Sequence, residues 1–124
     1  MEFDILMFFD NKPYELSLYE AIAETICGKY DDIKTKVSKT QISFSNKYNF
    51  AFVSLPIRNR QKRPKDCVIL TFGLGREVVQ PRIEMSVEPY PNRWTHHVIV
   101  QNANEIDEQI MEWIDEAYHF SLNK

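Results

Sequence analysis

Few residues in this chain could carry chemistry, and the most conspicuous are the adjacent His96 and His97. They fall in the β-branched run from Thr95 to Gln101, where successive side chains point to opposite faces, so the pair cannot readily chelate one metal ion. His96 shares a face with Val98 and Val100, and His97 with Ile99. Whichever imidazole lies inward needs a hydrogen-bond partner. It then either locks the end of a sheet or lines a pocket as a neutral ring able to bind or shuttle a proton near neutral pH. The structural role is the default. Arg93 and Trp94 come immediately before, behind a Pro-Asn turn, where an indole serves as a lid on the core or as a binding platform. His119 falls in the last turn of a closing helix, where a cation suits the dipole.

The second group of candidates is basic. Arg58, Arg60, Lys62, Arg63 and Lys65 place five cations in eight residues. Such a run attracts phosphates by Coulomb steering and counterion release, and it also keeps an exposed loop soluble. No aromatic residue interrupts it, so a base-stacking surface has to come from elsewhere. The wider charge layout is segregated. Residues 1–27 and 102–124 each sum to −5, residues 28–82 to +8, and the whole chain to −3.

The acids of the last segment invite a third idea. Glu108, Glu112, Asp115 and His119 follow one another along one helical face at steps of four, three and four. Neighbouring pairs could share a cation, but one helix cannot wrap four ligands around an ion, so a solvated face is the expectation and no metal site is assigned.

Several classes of chemistry are excluded. The clustered glycines Gly73 and Gly75 lack the third glycine and following helix of a dinucleotide site. There is no P-loop, no Gly-x-Ser-x-Gly elbow and no His-Glu-x-x-His. Neither nucleotide-driven nor triad chemistry is expected, and no cofactor is implied. Cys27 and Cys67 lie 40 residues apart without a second pair, which indicates neither a disulfide framework nor a zinc ribbon and suits a reducing, cytoplasmic setting. The longest apolar run, Ile5 to Phe9, is far short of the roughly 20 residues that span a bilayer. It has no basic flank of the kind a signal peptide carries.

These residues must be positioned by elements that the periodicity outlines. At 124 residues the chain is the size of one domain, and 44% hydrophobic content allows an ordinary core. Phe3 to Asp10 reads as a short helical turn. A helix follows from Pro13, with Leu18, Ile22 and Ile26 on one stripe and Gly28 as its left-handed stop. Five strands are expected at Val37–Phe44, Tyr48–Leu55, Cys67–Phe72, Ile83–Val87 and Thr95–Gln101. Ser45-Asn46-Lys47 turns one hairpin, and Gly73 to Pro81 and Pro89 to Asn92 make later crossings. Within the first strand Lys39, Gln41 and Ser43 alternate with Thr40, Ile42 and Phe44, while Ile83, Met85 and Val87 share one face of the fourth. Asn104 caps a closing helix whose buried stripe runs from Ile106 to Tyr118. The expectation is an α+β domain over residues 1–124, with an antiparallel sheet of about five strands and its helices on one face.

Two segments carry a resemblance: Lys39-Thr40-Gln41-Ile42-Ser43-Phe44 with Asn49 to Phe52, and Arg93-Trp94-Thr95-His96-His97. With the Leu18-to-Ala21 helix and the Trp113-to-Tyr118 helix, they resemble a bacterial domain-of-unknown-function family over roughly residues 3–120. Its members occur alone or appended to larger proteins, some of them nuclease-like. The resemblance implies the same α+β layout and supplies no reaction. The order of elements is also similar to frataxin-like iron chaperones, a likeness of layout alone.

The functional expectation is a non-enzymatic binding module for an anion or nucleic-acid phosphate. Its surface would be the sheet face near Lys39, Gln41, Trp94 and His96 or His97, with Arg58, Arg60, Lys62 and Arg63 at the rim. The alternative is a metal-handling protein using acidic helix faces. An enzyme has least support, because no nucleophile or orienting carboxylate stands beside either histidine in the sequence. A homodimer is expected from the second strand, which is apolar on both faces, with Phe72, Tyr90 and Trp94 nearby.

Overall fold

A computed structural model describes residues 2–56 and 66–123. The opening helix α1 spans Glu2–Phe8, and Asn11 makes the turn after it in the left-handed region (φ 59°), which asparagine tolerates well. Helix α2 spans Pro13–Lys29, with proline in its first turn and Leu18, Tyr19, Ile22 and Ile26 buried. Gly28 is not a left-handed stop. Its φ is negative, the helix runs one residue further, and Tyr30 leaves it in extended conformation. A chain that continues straight out of a helix has no need of the left-handed residue that a reversal requires.

Among the described residues the sheet has six strands rather than about five: β1 (Lys34–Val37), β2 (Ile42–Ser45), β3 (Asn49–Ser54), β4 (Val68–Leu74), β5 (Ile83–Tyr90) and β6 (Arg93–Val100). Their order is β1-β2-β3-β4-β6-β5, and every neighbouring pair is antiparallel. The expected strand Val37–Phe44 is divided by a turn. Ser38 donates from its backbone N–H (2.9 Å) and its hydroxyl (2.8 Å) to the Gln41 carbonyl, reversing the chain at Lys39 and Thr40. Lys39 and Gln41 therefore belong to a turn and not to one face of a strand.

The helices pack on one sheet face, where Phe44, Val53, Leu70, Phe72, Val98 and Val100 are buried with Leu18, Ile22 and Ile114. A bulge against Ser45 turns Phe50 of β3 to the helical side. Ala51 and Val53 pair with Phe44 and Ile42 on the helical side, and Phe50 joins them there, edge-on to Tyr30 and Tyr118. Phe52 is left facing outward beside Ser43 and Thr71. A second bulge splits β5. Ile83 pairs with Val98 on the helical side, but Met85 pairs with His97 on the other, so the two do not share a face.

Because β6 lies between β4 and β5, the connection 75–82 must cross β6. It does so on the helical side, where Val78 is buried. Three anchors hold it. Arg76 forms a two-pronged bond to Glu116 (2.9 and 2.8 Å), and the Val78 N–H donates to His96 Nε2 (2.9 Å). Arg82 donates to both Asp107 oxygens (2.9 and 3.0 Å) and to the Glu105 carbonyl (2.6 Å). Gly75 starts the crossing with no room for a side chain, since a Cβ there would stand 2.9 Å from the Phe120 ring.

The closing helix α3 spans Glu108–Leu122, and its cap is Asp107, whose carboxylate accepts the Ile110 N–H at 3.1 Å. Asn104 is not the cap; it sits in the preceding 3-10 turn, Ala103–Glu105. That turn delays the helix and brings Asp107 within reach of Arg82.

Candidate functional site

The sheet face opposite α2 and α3 carries a cleft of about 670 Å³. Six elements build it. The β1–β2 turn supplies Lys39, Thr40 and Gln41, and the end of β3 supplies Ser54, Leu55 and Pro56. Ile69 of β4, Met85 of β5 and His97 of β6 line the far side, and Met7 and Phe8 of α1 close one end. The lining is mixed: an ammonium, two hydroxyls, an amide and an imidazole among aliphatic and aromatic carbon.

Register places two of them, His97 and Met85, side by side in a row that crosses the whole sheet. Successive cross-strand partners on the outward face are Lys36, Ser43, Phe52, Thr71, His97 and Met85, one from each strand in sheet order. His97 Nδ1 lies 2.9 Å from Thr71 Oγ1, which fixes the plane of the ring. Thr71 is buried and does not line the cleft, so its hydroxyl orients the imidazole and is not placed to attack a ligand. Lys34, Lys36 and Lys39 form no ion pair among the described residues. The wall is therefore suited to accepting an anion, by charge from Lys39 and by neutral donors from Thr40, Gln41 and Ser54.

The structure separates the other expected site residues from this group. His96 is the inward histidine, with no solvent exposure, stacked on Phe72 at a centroid distance of 5.4 Å. Burial pushes its pKa below the ordinary value. Glu77, the Phe72 carbonyl and Glu116 act in the opposite direction and are outweighed, while Arg76 reinforces the burial. Its Nε2 is committed to Val78, so the ring proton must sit on Nδ1, which closes no hydrogen bond of good geometry among the described residues. Trp94 pairs with Leu74 and lies on the same strand face as His96, away from His97. Arg58, Arg60, Lys62, Arg63 and Lys65 lie outside the described residues. Three expected site residues, Lys39, Gln41 and His97, thus come together, and His96 and Trp94 do not join them.

Asp115 and Glu116 of α3 and its cap Asp107 have partners, while Glu108 and Glu112 stand exposed. Asp115 accepts from the Tyr30 hydroxyl and faces Lys29 (3.7 Å) and His119 (3.6 Å), while Glu116 is held by Arg76 and Asp107 by Arg82. Tyr30 and Tyr118 stack at 3.9 Å beside it, and the Tyr118 hydroxyl donates to Asp32. Among the described residues no three His, Cys, Asp or Glu side chains converge as a metal site. No described helix is long and apolar enough to cross a membrane.

Sequence reasoning missed Thr40, Ser54, Ile69, Met85 and Lys36 as neighbours of the site. The signal for two of them was Ser38, a good first residue for a turn, which moves Lys36 onto a separate strand and Thr40 to the turn's tip. The bulge that turns Met85 toward His97 left no mark in the residue pattern.

Comparison with known proteins adds the family. No curated protein and no solved structure matches the chain, so the likeness of layout to frataxin-like chaperones carries no argument about function. One family matches residues 8–121, which takes in every strand, both longer helices and the cleft apart from Met7. The chain belongs to this family, the domain of unknown function DUF5655.

Proposed function

We propose that this chain is a binding module for an anionic ligand, the phosphates of a nucleic acid foremost, and that the cleft beneath the β1–β2 turn receives it. The observation that carries this reading is the meeting of Lys39, Gln41 and His97, from separate elements, in one cleft on the sheet face turned away from the acidic helices. Lys34 and Lys36 extend the same side, since they alternate with Thr35 and Val37, and Val37 packs on the core. The sequence adds five more cations directly after Pro56, a residue of the cleft wall. Binding without catalysis fits a site whose one ordered hydroxyl–imidazole pair keeps its hydroxyl buried. The two thiols suit a reducing, cytoplasmic setting.

The test is a fluorescence-anisotropy titration with a labelled single-stranded oligonucleotide, repeated across salt concentrations. The logarithm of the affinity should fall linearly with the logarithm of salt, and neutralising both Lys36 and Lys39 to Gln should make that slope shallower by about 1.4. Binding that ignores salt, or no binding at low salt, would remove the reading.

A further inference from the structure

Resting on the anion-binding reading, we infer that the cleft holds one unstacked base of a single-stranded nucleic acid while the neighbouring lysines take its phosphates. A bare phosphate would be served by Lys39, Thr40 and Gln41 alone. The apolar part of the lining, Phe8, Leu55, Ile69 and Met85, gives a small hydrated anion nothing and would only strip its water. A ligand that uses both kinds of lining group carries a charge and also a flat apolar body. A nucleotide has this form, and about 670 Å³ lies within the range of clefts that enclose ligands of its size.

Two further features favour a strand over a duplex. A duplex hides the faces of its bases in the stack, whereas single strands can splay them onto protein side chains. The half-buried Phe52 stands on the same outward face between Ser43 and Thr71 and offers a second ring for stacking. The charges also form a track. Lys34 and Lys36 lie two residues apart on one side of β1, about 7 Å along the strand, and Lys39 follows at the turn. That step is comparable to the spacing of phosphates in a stretched strand. The carboxylates of α3 lie across the sheet, so the field draws a polyanion to the lysine side.

The experiment compares a short oligonucleotide with an abasic strand of equal length and charge, with free nucleoside monophosphate and inorganic phosphate as competitors. The intact strand should bind roughly tenfold more tightly than the abasic one. Met85→Ser should shrink that ratio while leaving the salt slope unchanged, and Phe52→Leu should weaken the intact strand alone. Equal binding of intact and abasic strands would overturn the base-holding inference and leave the anion reading standing. A monophosphate that binds as tightly as the strand would overturn the strand and make the nucleotide itself the ligand. Failure of both strands to bind at low salt would take down the anion reading and this inference with it. The comparison of strands uses the unaltered chain, so it does not depend on how any variant folds.

Discussion

With no solvent exposure and Nε2 accepting from Val78, His96 has to remain neutral for the crossing over β6 to stay in place. A proton added to the ring would turn the acceptor into a donor facing another donor. Its folded pKa is lowered from 6.5, chiefly by burial, so the unfolded chain takes up the proton first as the solution is acidified. The stability that His96 contributes is therefore complete above about pH 6.5 and drains away below it, by at most about 1.4 kcal/mol per pH unit for one proton. Urea unfolding at pH 7.5, 6.5 and 5.5 should show this slope, and His96→Gln, which keeps an acceptor but does not titrate, should lack it. Parallel curves for the two proteins would show that the ring does not govern acid sensitivity. A second residue-scale expectation concerns Gly75. A methyl group there meets the Phe120 ring at 2.9 Å, so Gly75→Ala should destabilise by about 1–2 kcal/mol, and Phe120→Leu should recover most of it. Alternation along Thr95 to Gln101 showed in the sequence that the two histidines must part company. Which of them turns inward was fixed by the crossing segment, whose Val78 sits far from them in the chain.

Elements were legible where a local rule sufficed and opaque where a distant partner decided. The proline start of α2 and its Leu18, Ile22 and Ile26 stripe follow from residues within a few turns of each other. The turn at Ser38 was hidden because Lys39 to Phe44 alternates well enough to pass for continuous strand. The bulges in β3 and β5 depend on what their neighbours present, which no single strand encodes. The start of α3 is a similar case. Asn104 and Asp107 are both good caps, and the choice falls to Asp107 because Arg82 reaches it from the crossing segment. Arg82 and the Ile110 N–H together hold the Asp107 carboxyl below the usual carboxylate range. Asp107→Asn should keep the cap and lose the ion pair, and Asp107→Ala should lose both. Thermal midpoints should fall in the order wild type, Asn, Ala, whereas Asn104→Ala should leave the midpoint nearly unchanged.

Across the whole molecule, the sheet separates two electrostatic environments. The acidic helices α2 and α3 lie on one side, and Lys34, Lys36 and Lys39 lie on the other without carboxylate partners among the described residues. The sequence showed the charge in blocks along the chain, but not that the blocks would face opposite ways. Phe72, expected to add outer apolar surface, stacks instead on Trp113 in the core at 5.8 Å, which leaves less of the apolar area from which self-association was expected. The layout also grades local stability. β4 and β6 lie in the interior of the sheet, whereas β1 is a short edge strand with alternate exposure. Hydrogen exchange followed by mass spectrometry should find residues 68–74 and 94–100 the slowest to exchange and residues 34–37 among the fastest. Equal rates across these segments would contradict the grading. The strand order has one more consequence, and it concerns synthesis. As the chain leaves the ribosome, α1 to β4 can assemble from neighbours, but β5 emerges before the strand it pairs with. Until β6 arrives to fill the gap, the outer edge of β4 stands bare, and Phe72 stays open on its face until Trp113 of α3 follows. A released chain that ended at Tyr90 would thus display an unfinished sheet with an adhesive border, and chaperones would be drawn there first.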